Sequence, residues 1–227
     1  MIFHKDALTR SDQSMFKNRQ DAGKKLGKAL QSDFGSDVLV LAIPRGGVAI
    51  GYEVQKMLHS DFSLIIVQEL PLPDTPEARF GAIAEDGSTI LLEITHRWLE
   101  ADQIKKVIEE QQAEIERRIE ILRNGQPLPE ITGRKVILVD DGIATGSKMR
   151  AAIKCCKKKD PKKIVVAAPV AGPETGRSLR IMKNVDQTVI LRKPRFFRAV
   201  AQVYENWYDV PDHEVLKIMK RWKQEQR

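Results

Sequence analysis

VILVDDGIATGSKM, residues 136–149, decides how the rest of the chain is read. Val136 to Val139 form an apolar run of the right length and composition for a buried strand. Asp140 and Asp141 stand where that strand ends, and Gly142, Thr145, Gly146 and Ser147 follow as a small-residue loop. The apolar spacing then turns helical, with Met149, Ile153 and Cys156 at i, i+4 and i+7. A strand that runs through such a loop into a helix N-terminus makes an anion site. The first-turn N–H groups lack partners within the helix, and the helix dipole favours negative charge there.

Two carboxylates beside a phosphate cradle suit a ligand that carries phosphate together with hydroxyls or Mg²⁺. Phosphorylated ribose is such a ligand. The plainer alternative is a buried strand with an Asp-Gly turn. A second unit of the same build favours the cradle. Val38 to Ile43 read as a buried strand, Pro44, Arg45, Gly46 and Gly47 break it, and Ile50, Val54, Met57 and Leu58 line one face of a following helix. Glycines let backbone come close to a ligand, and Arg45 adds a fork of donors suited to phosphate.

Outward from these two units, strands and helices alternate. A helix is expected from about Asn18, and strands at Phe62–Val67, Ile164–Val170 and Gln187–Arg192. A long helix is expected over Trp98–Arg123, with Ile104, Val107, Ile108, Ile115, Ile119 and Leu122 on one stripe. Pro173 to Asn184 can hold a short helix. Three prolines, Pro71, Pro73 and Pro76, argue against a regular element in the first half of the connection after Val67. Hairpin character returns at Ile90–Ile94. The alternation predicts an α/β fold: a mostly parallel twisted sheet with helices on both faces. Ligands of such sheets bind at the carboxyl ends of the strands, where Arg45 and Asp140 fall. The C-terminal segment is rich in aromatics: Phe196, Phe197, Tyr204, Trp207 and Tyr208. They can stack on a base or pack in the core, and packing is the favoured reading. Val215, Ile218, Met219 and Trp222 mark a closing helix.

The chain has 227 residues and a net charge of +7. One domain over 16–227 with an extension over 1–15 fits that length. No apolar run approaches the ~20 residues of a membrane span. The N-terminal residues lack an apolar signal core, so a cytoplasmic location is expected. The lysines between Lys154 and Lys163 read as a solvated helix end rather than a nucleic-acid patch, since no aromatics interleave with them. Cys155 and Cys156 are adjacent on a helix and the four histidines are scattered, which excludes a disulfide between the two and any recognisable metal spacing.

The stretch at 136–149 resembles the PRPP-binding motif of type I phosphoribosyltransferases: four apolar residues, two acids, two mostly apolar residues and a loop of the type A-T-G-x-T. The PRGG turn at Pro44–Gly47 resembles the pyrophosphate loop of the same family. FKNRQDAG, IPRGG, GAIAE and FFRAVAQVYE resemble a bacterial and archaeal subgroup whose acceptor is undefined. The resemblance implies that Asp140 and Asp141 engage the ribose hydroxyls as the catalytic acids, directly or through Mg²⁺ and water. It implies that Ala144, Thr145, Gly146, Ser147 and Lys148 hold the 5′-phosphate. Arg45, Gly46 and Gly47 would take the pyrophosphate. A mobile loop after the second strand would close over PRPP and exclude water. The implied reaction is Mg²⁺-dependent and moves ribose 5-phosphate from PRPP to a nitrogenous base or related acceptor with release of pyrophosphate, and the implied assembly is a homodimer.

Three positions depart from the family pattern. Lys148 replaces the hydroxyl residue that closes the phosphate loop, Gln68-Glu69 replace an Arg-Lys pair, and Ala144 replaces the Asp of guanine and hypoxanthine transferases. The first two motivate a competing reading: a catalytically weak or inactive PRPP- or nucleotide-binding regulatory protein, with RNA as one partner class. Hydrolase or dehalogenase-like chemistry on Asp140 is a third reading, disfavoured because the ATGS loop accounts for the neighbouring residues better.

Overall fold

The computed structural model describes residues 15–93 and 95–225. The expected N-terminal extension lies outside the described residues, Met15 apart. In chain order, α1 (Arg19–Leu30), β1 (Val38–Ala42), α2 (Gly47–Leu58) and β2 (Asp61–Leu64) lead into three further strands, β3 (Val67–Leu72), β4 (Thr75–Ala84) and β5 (Thr89–Leu91). The short α3 (Thr95–Trp98) and the long α4 (Ala101–Arg123) return the chain to β6 (Lys135–Val139). There follow α5 (Ser147–Lys157), β7 (Lys163–Val170), α6 (Pro173–Arg180) and β8 (Gln187–Arg192). A 3₁₀ turn at Val200–Val203 and α7 (Asp212–Glu225) complete the chain.

Strands β2, β1, β6, β7 and β8 pair in that order, all parallel. The apolar runs of β1 and β6 are continuous because both faces of this sheet are covered. Val38, Val40, Ala42, Ile137 and Val139 join Leu26 of α1, Ile50 and Val54 of α2 and Met219 of α7 in one core. The alternate residues Leu39, Leu41, Val136 and Leu138 join Met149, Ile153 and Cys156 of α5 in another. Period-two alternation along the strands thus divides the apolar residues between two helical layers, as expected. Full burial of each Val, Leu, Ile or Met among them contributes about 1.5–3 kcal/mol. The register pairs Ala42 with Val139, so Arg45 and Asp140 leave the sheet from neighbouring carboxyl ends.

Around β2 and β3 the structure corrects the sequence expectations. Phe62–Val67 is not one strand. β2 ends at Leu64 in the parallel sheet, and Val67 opens β3 in a separate antiparallel sheet ordered β3-β4-β5. A buried ion pair holds this crossing point. Arg123, at the end of α4, pairs with Glu85 and donates to the Leu64 carbonyl at 3.0 Å. Burial pushes the Glu85 carboxyl up, and Arg123 pulls it back.

The proline-bearing connection is also regular. Pro71 lies in β3 at a register shift, Pro73 sits in the turn that closes Leu72 against Thr75, and Pro76 lies near the exposed start of β4. Proline is tolerated where ladder bonds are already interrupted. The predicted strand at Ile90–Ile94 is shorter and begins earlier, at Thr89, while Ile94 lies outside the described residues. The long helix begins at Ala101 rather than Trp98, and its stripe buries Ile104, Val107, Ile115 and Leu122.

Candidate active site

Two acids stand at the end of β6, both buried: Asp140 at 3% and Asp141 at 9% exposure. Each meets a cation. Arg19 Nε lies 2.8 Å from Asp141 Oδ2, and Lys148 Nζ lies 3.4 Å from Asp140 Oδ2. Asp140 Oδ1 also accepts the Asp141 N–H at 2.8 Å. Burial pushes the Asp140 carboxyl up to about 7, while the Lys148 ammonium pulls it back and the Asp141 charge adds to the rise. Asp140 in turn holds the Lys148 ammonium above its ordinary value.

Arg19 belongs to the first turn of α1, which the Asn18 side chain caps by accepting the Asp21 N–H. Its guanidinium is held on three sides. It bonds Asp141, donates to the Tyr208 carbonyl at 2.9 Å, and lies 3.9 Å from the centroid of the Trp207 ring. Tyr204 packs against Trp207 at 5.2 Å and donates its hydroxyl to the Asp141 carbonyl at 2.6 Å. Burial pushes the Tyr204 phenol up, so it remains a donor. Of the aromatic tail, Tyr204 is buried while Trp207 and Tyr208 stay 36% and 51% exposed, so the favoured packing reading holds for only part of the segment. Trp207 and Tyr204 brace the arginine that pairs with Asp141. Phe196, by contrast, stays 78% exposed.

The two loops reach the same place. A Cβ on Gly46 would sit 1.8 Å from Asp141 Oδ2, so only glycine lets the PRGG turn close onto the acid. Gly47 packs on the backbone of Val139 and Asp140. Arg45 is half-exposed beside them, with Asp212 Oδ1 at 4.0 Å. On the other side Gly146, at φ +80°, turns the chain into α5. That left-handed conformation is costly for a residue with a side chain. Thr145 and Ser147 hydroxyls lie 3.0 Å apart, and Thr175 donates to the Ala144 carbonyl at 2.6 Å, tying the loop to α6.

Between the two loops lies a cleft of about 510 Å³. Of the residues expected from the sequence, Arg45, Gly46, Asp140, Asp141, Ala144, Thr145, Gly146 and Lys148 border it. Gly47 and Ser147 stand behind the wall; Ser147 is buried at 2% exposure. Glu69, expected to weaken the site, does face the cleft, but Arg79 Nε of β4 lies 3.1 Å from its Oε2 and returns a cation there. Arg19, Arg79 and Asp209, to which the sequence assigns no ligand role, also line the cleft, and so does Trp207, one of the aromatics read as able to stack on a base. The FKNRQDAG motif carried Arg19 in plain view. Nothing signalled Arg79 while its segment read as irregular.

The donors do not fit a resident magnesium ion held by the protein alone. Magnesium needs several oxygens in near-octahedral order. Here both carboxylates already have cationic partners, and among the described residues no group of three or more His, Cys, Asp or Glu side chains could hold a metal. In the lysine cluster, Lys158 pairs with Asp86 and Lys154 donates to the Thr89 carbonyl. Cys155 and Cys156 are both free and buried, and burial pushes the Cys156 thiol up to about 12. Among the described residues, no helix is long and apolar enough to cross a membrane.

Comparison with known proteins agrees with this architecture. A family model described as "Phosphoribosyl transferase domain" matches residues 12–204. Relatives in two strains of Mycobacterium tuberculosis, each named "Putative phosphoribosyl transferase", are 37% identical over 209 residues, which is 91% of this chain and 47% of theirs. The chain thus spans about half the length of the curated relatives it matches. The crystal structure of TT1426 from Thermus thermophilus superposes with a TM-score of 0.75 at 33% identity, covering 92% of this chain and 99% of that one.

Proposed function

The chain belongs to the phosphoribosyl transferase family, and from that premise we propose that it transfers ribose 5-phosphate from PRPP to a nitrogenous base or related acceptor, releasing pyrophosphate. One observation carries the reading. The PRGG turn closes onto Asp141 at Gly46, while the ATGSK loop opens the N-terminus of α5 into the same cleft. One ligand with a phosphate at each end would meet both loops.

In this reading the first-turn N–H groups of α5 and the Thr145 hydroxyl take the 5′-phosphate. Asp140 and Asp141 accept the ribose hydroxyls, held in place by Lys148 and by the braced Arg19. Arg45 and the backbone at Gly46 take the diphosphate. The C1–oxygen bond breaks, the electron pair leaves with pyrophosphate, and the acceptor nitrogen bonds C1 and gives up its proton. The chain's part is to align the reactants and stabilise the leaving charge, with no nucleophilic side chain. A homodimer and a cytoplasmic location belong to the same reading.

The Lys148–Asp140 pair favours a second reading, a protein that binds phosphoribosyl ligands without turnover. One assay separates the two. The protein is incubated with PRPP and a panel of bases and amines, and pyrophosphate is measured. Acceptor-dependent release supports transfer. Binding of PRPP with no release across the panel supports the second reading.

A further inference from the structure

We propose that this chain holds the diphosphate of its ligand with side-chain cations alone: Lys148, Arg45 and Arg79 supply the positive charge that a divalent metal would otherwise bring. The inference rests on the phosphoribosyl reading above and deepens it at the same site.

Four observations carry it. First, Lys148 does not take over the role of the hydroxyl it replaces. Its side chain runs from the first turn of α5 to Asp140, 3.4 Å away, and stays about a third exposed at 32%. An ammonium has three donors, so one pairing leaves capacity for a ligand oxygen. Second, Arg19 already neutralises Asp141. A metal at this acid pair would face two fixed cations beside the carboxylates it needs, and like charges repel strongly at such distances.

Third, a neighbouring cleft of about 380 Å³ opens between the PRGG turn, the β3–β4 hairpin and α4. Arg45, Arg79 and Lys148 line both clefts, and Arg118 of α4 adds a fourth cation to the second. Fourth, among the described residues the one carboxylate lining that second cleft is Glu69, which Arg79 already binds. Lys148, Arg45 and Arg118 also meet Asp140, Asp212 and Glu114, yet four cations and a single carboxylate line the compartment itself, which suits a multiply charged anion placed next to the acids that would hold the ribose. Guanidinium forks and an ammonium match phosphate oxygens directly.

The test is calorimetry of inorganic pyrophosphate and of PRPP, each in EDTA and in Mg²⁺. The expected result is binding in EDTA within about threefold of that in Mg²⁺. Lys148→Met and Arg79→Met should each weaken the EDTA affinity roughly tenfold or more. Added Mg²⁺ should restore part of the loss in Lys148→Met. Circular dichroism checks that each variant is folded, and either variant alone carries the test. Binding seen only with Mg²⁺ overturns the inference and leaves the phosphoribosyl reading standing. So does EDTA affinity that neither substitution changes. No binding of PRPP or pyrophosphate in either buffer overturns both.

Discussion

The two walls of the cleft are built differently. One is the carboxyl edge of a parallel sheet, where β1 and β6 end side by side and hand their chains to glycine turns and helix starts. The other is the β3–β4 hairpin, an antiparallel ribbon with register shifts at Pro71 and an exposed tip. The first wall is fixed by backbone geometry: a Cβ at Gly46 has no room, and Gly146 sits in the left-handed region. The second acts through side chains, Glu69 and Arg79, that reach from strands into the space between. The contrast teaches that one rim of the cleft is set by the fold, whereas the charge on the other rim is set by replaceable side chains.

Substitutions can break this contrast, and their expected effects fall in order. The largest belongs to the joint between the two sheets. Arg123→Met strands the buried Glu85 carboxylate and should cost about 3–5 kcal/mol of stability, read as a lowered urea midpoint. Next is the rigid wall. Gly46→Val drives side-chain atoms into the Asp141 carboxylate, an overpacking of about 1–3 kcal/mol, and should weaken PRPP binding roughly 10- to 100-fold. Calorimetry reads this directly; an affinity within a few-fold of wild type would mean the turn does not set the ligand's place. On the side-chain wall, Arg79→Met should lower pyrophosphate affinity only about tenfold and leave ribose 5-phosphate binding unchanged.

The smallest effect lies on α4, which backs the hairpin. Arg117 and Arg118 hold the Glu114 carboxyl down at about 2, against 4.5 for a free glutamate. A depressed carboxyl contributes stability that is present above pH 4.5 and lost as pH falls toward 2. These are partly exposed pairs three and four residues apart, so Glu114→Gln should cost about 0.5–1 kcal/mol at pH 7 and less at pH 3. Equal urea midpoints for wild type and variant at pH 7 would remove the pair from the account.

The same contrast explains what could be read in the sequence. The rigid wall was legible because each part has a local signature: an apolar run, paired acids, glycines where a helix begins. Val136–Met149 and Val38–Gly47 fold as their residues dictate. The hairpin wall was not legible, because its regularity comes from pairing across strands rather than from local preference. Prolines at 71, 73 and 76 hid it, and Leu64–Val67 gives no local sign that the chain changes sheets there. Arg19 was visible as a motif letter, yet its role comes from contacts with Asp141 and Trp207, more than a hundred residues away in sequence. Lys148 reads in the sequence as a misfit in the phosphate loop, and only the folded chain shows its ammonium at Asp140.

The central claim is that both loops hold one ligand. Calorimetric affinities of PRPP, ribose 5-phosphate and pyrophosphate, taken side by side on the wild-type chain, test it most directly. The account predicts that PRPP binds at least about tenfold more tightly than either half, because it engages both loops at once. PRPP binding no tighter than ribose 5-phosphate would show that the PRGG turn takes no part, and would contradict it.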